Sequence, residues 1–164
     1  MKEKINTVVF QVIRKCNQVC PHCFFNSSPR SEEKLTLKET ILGVNDLKKA
    51  GIKKIKKIII SGGEPTIWSN LSKLIYRLRL EYPLSKIRID TNGLTLLQNP
   101  KLFDTLRADI YDISVDIFHN QGLINKNELF IKKNGSSPLL DFFLNKQKKY
   151  KFQLFIRWIS NRND

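Results

Sequence analysis

Short apolar runs alternate with amphipathic stretches along this chain. Thr7 to Ile13 reads as a strand, and the polar residues 24–34, with Pro29 among them, read as a loop. Thr36 and Glu39 then make the pattern in which each side chain satisfies a free amide at a helix start. Leu37, Ile41, Val44 and Leu47 recur at helical spacing up to Gly51, a glycine placed to end the helix. Ile58-Ile59-Ile60 is continuously apolar, which predicts a strand buried on both faces. Ser69 is placed to cap a second helix with Leu71, Leu74, Ile75 and Leu78 on one side and Pro83 beyond its end. Ile87 and Ile89 alternate with polar residues in a third strand, and Asn99-Pro100 opens a third helix carrying Leu102, Phe103 and Leu106. Ile110 to Val115 gives a fourth strand, Pro138 to about Lys149 a fourth helix, and Phe152 to Trp158 a fifth strand. Between them, residues 121–137 follow no period, and a loop of that length is usually functional or mobile. Trp68, Trp158 and the phenylalanines of the last third read as core.

Strand and helix thus alternate five times without a hairpin signal. Helical crossovers make consecutive strands parallel, so the expected class is α/β with a parallel sheet. A closed eight-unit barrel takes about 250 residues. A chain of 164 residues holds about five βα units, so the expectation is one domain over residues 1–164 built as a partial, TIM-like barrel. Its last strand is then an edge. In parallel sheets ligands bind at the carboxyl ends of the strands. The chain's conspicuous segments all fall there: a cysteine cluster after the first strand, Ser61-Gly62-Gly63-Glu64-Pro65-Thr66 after the second, Asp90-Thr91-Asn92-Gly93 after the third, and Ser114-Val115-Asp116 closing the fourth.

A hydrophobic fraction of 41% with 27% charged residues fits a globular protein rather than a disordered one. No apolar run approaches the roughly 18 residues of a membrane span, and the first residues lack a signal peptide's apolar core. A reducing cytoplasm is therefore expected, with cysteines used as ligands and not as disulfides. The net charge is +14. It is spread along the chain, which favours solvated faces over one electrostatic footprint. An anionic partner such as nucleic acid or an acidic peptide stays open, though no stacking pattern of aromatic and basic residues supports nucleic acid. The densest run, Lys53-Lys54-Ile55-Lys56-Lys57, leads into a strand, where lysines guard against edge pairing.

All three cysteines, Cys16, Cys20 and Cys23, lie in one stretch with the spacing C-x3-C-x2-C. Crowded thiolates select soft metal centres: iron–sulfur clusters, zinc or Cu(I). In a four-iron cluster three thiolates leave one iron open to an outside ligand. The same thiols also suit zinc, with His119 as a fourth ligand. Taken singly, the other segments have ordinary readings. Gly62-Gly63 makes a tight turn, Asn92-Gly93 is a common turn dipeptide, and Ser114 and Asp116, on one face of a strand, are suited to capping.

Together, C-x3-C-x2-C after the first strand and Gly-Gly-Glu-Pro after the second resemble the radical S-adenosylmethionine (radical SAM) superfamily, over residues 7 to about 116. The resemblance implies that Cys16, Cys20 and Cys23 ligate a [4Fe–4S] cluster and that S-adenosylmethionine chelates the fourth iron. It implies that Gly62, Gly63, Glu64 and Pro65 bind the methionine amino group, and that the His22 ring lies against the adenine. Asn92, Ser114 and Asp116 would reach the ribose or methionine moiety. The implied reaction is reductive cleavage to a 5′-deoxyadenosyl radical that abstracts a substrate hydrogen. The electron would come from a flavodoxin- or ferredoxin-like donor. With no added substrate domain, the chain is similar to small activases of glycyl-radical enzymes and equally suits a peptide-modifying role. It departs from the family in lacking the sixth βα unit, which suggests a minimal, split or truncated and inactive member. It also lacks an arginine soon after strand four for the methionine carboxylate, leaving Lys126, Lys132 or Lys133. A zinc-binding or inactive cluster-binding module with an anionic partner is the alternative.

Overall fold

Ile58, Ile60, Ile87 and Ile89 have no solvent exposure, because alternate residues of each strand face one layer of helices. The computed structural model describes residues 4–21, 23–116 and 137–159. Its strands are β1 (Lys4–Ile13), β2 (Lys54–Gly62), β3 (Lys86–Thr91), β4 (Ile110–Asp116) and β5 (Gln153–Ile159). They form one sheet in chain order, each adjacent pair parallel. β1 and β5 are its edges, so the sheet is an unclosed, partial barrel, as expected for five units. The helices are α1 (Leu37–Lys49), α2 (Leu71–Glu81), α3 (Leu94–Gln98), α4 (Pro100–Leu106) and α5 (Pro138–Tyr150). No helix among the described residues is long and apolar enough to cross a membrane.

The core lies between the outer face of the sheet and the helices. Phe10, Val12, Ile58, Ile60, Ile87, Ile89, Tyr111 and Ile113 meet Val44 of α1, Leu71, Leu74 and Leu78 of α2, and Phe103 of α4. Each such aliphatic side chain contributes about 1.5–3 kcal/mol on burial. Phe103 stacks on Tyr111 at 4.6 Å and meets Phe143 and Phe152 edge-on or tilted. Trp68 is buried, its indole N–H donating to the Leu35 carbonyl at 3.0 Å. Phe155 departs from the core expectation. It is 50% exposed because its register with Asp112 turns it to the inner face, away from the helices. The side chain of Trp158 lies outside the described part.

The inner face is polar toward its carboxyl end. Register sets Ile59 beside Arg88, Asp90 beside Asp112, and Ser114 beside Arg157. The lysine run has a local explanation. β2 is an interior strand, but its first residues outrun β3, whose pairing begins at Lys57–Lys86. Lys54 and Lys56 therefore occupy a short, edge-like overhang.

Helix ends differ from expectation in two places. α2 starts at Leu71 behind Asn70, with no side-chain cap; its first amide donates instead to the carbonyl of Trp68, the residue that closes a 3-10 turn over Pro65–Ile67. α3 is an additional single turn, too short to show a period. Gly93 has φ +78°, and Asn92 Oδ1 accepts from the Leu94 amide at 3.0 Å, which starts the turn. At α1 the expected cap is present. The Thr36 amide and hydroxyl donate to Glu39 Oε2 at 2.6 and 2.8 Å, and the Glu39 amide donates to Thr36 Oγ1.

Those two Thr36 donors, the amide first, hold the Glu39 carboxyl below the ordinary carboxylate range. A pKa lowered on folding contributes stability that is complete above the unfolded value of about 4.3 and is lost as pH falls through the folded value. Protection of the first amides of α1 from hydrogen exchange should therefore fall as pH drops below about 4. Glu39→Gln should remove that pH dependence, as NMR exchange measurements would show.

Candidate functional site

The chain leaves β1 at Ile13 and folds back on itself before α1. Arg14 and Cys16 amides donate to the carbonyls of Glu33 and Ser28 at 2.8 and 3.1 Å, and the Leu35 amide returns to Val12 at 2.9 Å. Arg14 clamps this loop from its side chain, donating to the Phe25 carbonyl and pairing with Glu33. Inside it Cys16 is buried, Cys20 and Cys23 are half-buried, and none of the three is in a disulfide. The Ser27 amide lies 3.3 Å from Cys23 Sγ and Asn92 Nδ2 lies 3.9 Å from Cys16 Sγ.

The Gly-Gly-Glu segment lies directly against this loop. Gly63 donates to the Ile13 carbonyl at 2.6 Å and Glu64 to the Lys15 carbonyl at 2.9 Å. A Cβ on Gly62 would stand 2.2 Å from the Ile13 carbonyl oxygen, and one on Gly63 2.2 Å from that of Lys15. Only glycine permits this approach, and Gly62 also has φ +151°. The two glycines thus press the end of β2 against the residues preceding Cys16.

Glu64 is fully buried, with no ion pair among the described residues. Its Oε1 accepts from the Thr66 amide and hydroxyl and from the Thr91 hydroxyl, at 3.1, 2.5 and 2.7 Å, and its Oε2 from the Asn92 amide at 2.7 Å. Burial pushes its carboxyl up against the pull of those donors. Its side chain therefore ties β2 to the β3 turn. Asn92 carries the tie onward, donating to Asn17 Oδ1 at 2.7 Å. Burial, then the nearby Glu64 charge, push the Cys16 thiol up to about 12. A metal that binds there displaces its proton.

A cavity of about 210 Å³ collects these parts. Cys16, Cys20 and Cys23 line it, as do Gly62, Gly63 and Glu64, and then Asn92 and Ser114. The ends of four strands meet there. Pro65 is buried in the following turn. The residue His22, the side chain of Asp116, His119 and the lysines 126, 132 and 133 lie outside the described residues.

Arg157 lines the same cavity and has no place in the sequence reading. It projects from β5 level with Ser114, where an alternating strand pattern would have set it on the inner face. Arg88, Asp90 and Asp112 were equally legible as charged residues alternating with buried apolar ones. A parallel sheet covered on both faces has no room for such residues.

Three thiolates in one loop, with amide donors near two of the sulfurs, are a donor set that fits an iron–sulfur cluster. Among the described residues no three His, Cys, Asp or Glu side chains converge to hold one metal ion.

A family model described as the radical SAM superfamily matches residues 10–143. A GTP 3′,8-cyclase of Pelotomaculum thermopropionicum is 31% identical over 125 residues, covering 67% of this chain and 38% of that protein. A candidate glycyl-radical enzyme activating enzyme of Methanocaldococcus jannaschii is 35% identical over 105 residues, covering 62% and 36%. The chain thus spans less than half the length of these curated relatives. Among solved structures, BtrN in complex with AdoMet and 2-DOIA superposes with a TM-score of 0.63 at 15% identity, covering 96% of this chain and 58% of that one. The structure titled native anSMEcpe with bound AdoMet and Cp18Cys peptide does so at 0.60 and 20%, covering 94% and 42%. At these identities both likenesses concern the fold.

Glu64→Gln would set an amide N–H₂ against groups that already donate. It should lower the stability of the metal-free protein by about 2–3 kcal/mol, the cost of an unsatisfied buried group, read as a shifted denaturant midpoint. Gly63→Ala should be at least as damaging, since the clash is with backbone.

Proposed function

This chain belongs to the radical SAM superfamily, and from that membership we propose that it holds a [4Fe–4S] cluster and S-adenosylmethionine and uses them to take a hydrogen atom from a substrate. Members of the family use these two cofactors. When bound, they supply the electron and the 5′-deoxyadenosyl radical. The single observation that carries the reading is that the three thiols and the Gly62–Glu64 turn line one cavity.

In this reading Cys16, Cys20 and Cys23 each hold one iron. The Gly62–Pro65 turn meets the methionine amino group. Its Gly63 and Glu64 amides are already given to the Ile13 and Lys15 carbonyls, so what it offers an ammonium is carbonyl oxygen, which accepts. Asn92 acts chiefly by holding the cysteine loop through Asn17, and Ser114 offers a hydroxyl at the rim. His22 and Asp116 keep their proposed places beside the nucleoside. Burial of Cys16 excludes water from one side of the centre.

The substrate we propose is a protein or peptide, with a small redox protein as electron donor. Among the described residues, Val9 and Phe155 present half-exposed apolar side chains on the inner face, surface on which the side chains of a peptide pack. The activating-enzyme relative acts in that way by its name, whereas the cyclases act on GTP.

Anaerobic reconstitution should yield about four iron and four sulfide per chain with broad visible absorption. Reduction with dithionite should then release 5′-deoxyadenosine from S-adenosylmethionine. Serine at Cys16, Cys20 or Cys23 should abolish both. Stoichiometric zinc without sulfide would replace this reading by the zinc-module alternative. An intact cluster with no 5′-deoxyadenosine under any condition would leave a cluster-binding protein without turnover.

A further inference from the structure

On the inner face, β3, β4 and β5 carry a four-membered charge network that the cofactor reading does not use. Arg88 Nε donates to Asp90 Oδ1 at 2.5 Å, and its Nη2 pairs with Asp112 Oδ2. Arg157 Nη2 meets the same Asp112 oxygen at 2.9 Å and Asp90 Oδ2 at 3.8 Å. The two arginines are held differently. Arg88 is clasped between two carboxylates and its side chain is 17% exposed, whereas that of Arg157 is 47% exposed and engages the acids through one nitrogen.

The network is also one donor short. Asp112 is 5% exposed, and its Oδ1 has no hydrogen-bond partner among the described residues. A network built only for stability gains nothing from a buried unsatisfied oxygen. Beside it on β5, two residues before Arg157 and therefore on the same face, Phe155 presents a half-exposed ring. Arg157 and Asp90 line the cavity that also holds the thiols.

We infer that this part of the inner face is a substrate-recognition site for an anionic group, carboxylate or phosphate, joined to an apolar or planar body. Arg157 turns its remaining guanidinium donors to the anion, a pairing that favours two parallel hydrogen bonds. Phe155 packs against the body of the ligand. Asp90 and Arg88 are positioning residues that keep Arg157 over the cavity. The inference rests on the radical SAM reading for its role in catalysis, but the network itself stands on strands and not on the cysteines.

Two probes separate the sources of the anion: hippurate, with a carboxylate, an amide N–H and a ring, and phenyl phosphate. Each would be titrated by calorimetry into reconstituted protein loaded with S-adenosylmethionine, with benzyl alcohol as the uncharged control. At least one anion should bind and the alcohol should not. Arg157→Gln should weaken that binding about tenfold or more, the loss of a charge-assisted hydrogen bond, and Phe155→Ala should weaken it severalfold. Arg157→Lys should restore part of it. S-adenosylmethionine affinity, measured separately, should be the same in wild type and Arg157→Gln. Binding of neither anion, or binding indifferent to Arg157, overturns the inference. So does loss of S-adenosylmethionine affinity in Arg157→Gln, which would assign Arg157 to the cofactor. If the wild type takes up no cluster, the catalytic reading fails. The same titrations on metal-free protein then decide the anion site alone.

Discussion

Glu64 carries a carboxylate with no exposed surface and no ion pair among the described residues, held instead by four donors from Thr66, Thr91 and Asn92. Its neighbours Gly62 and Gly63 approach the backbone of residues 13–15 more closely than any side chain would allow. Between them these contacts join the ends of β1, β2 and β3. The cysteine loop has no regular structure of its own to fix it. Its position depends on this junction, and on Asn92 and Asn17 behind it. Conserving the geometry of the thiols therefore costs a buried charge, which is tolerated only because every lone pair that matters has a donor.

This gives the glycine–glutamate segment two duties. Close backbone packing explains why both glycines are needed, and the commitment of the Gly63 and Glu64 amides to the Ile13 and Lys15 carbonyls limits what the turn has left for a ligand. The Glu64 side chain is taken up by Thr66, Thr91 and Asn92. A substitution here would disturb stability and cofactor uptake together, so loss of activity alone would say little about contact with a ligand.

Across the sheet the two faces have divided their tasks. The outer face is aliphatic and aromatic and supplies the core with its helices. The inner face carries Arg88, Asp90, Asp112 and Arg157 in mutual ion pairs, near the thiols but apart from them.

Most of the architecture could be read from the chain. The order of strands and helices, the parallel pairing, the α1 cap at Thr36 and Glu39, and the gathering of the conspicuous segments at one rim all follow from local pattern, because periodicity and capping are properties of neighbouring residues. The three cysteines and the paired glycines also declared themselves, since their spacing is short. What local pattern missed needed partners far away in sequence. The Glu64 carboxylate is defined by Thr91 and Asn92, and Phe155 left the core because register with Asp112 turned it inward. Arg157 became part of the cavity only through pairing with Ser114, 43 residues earlier by number. The sequence by itself determined the class of fold and the clustering of the three thiols. Only the tertiary structure decided which charged side chains share the cavity with them, because which strands lie side by side, and in what register, is settled by packing and not by any one strand.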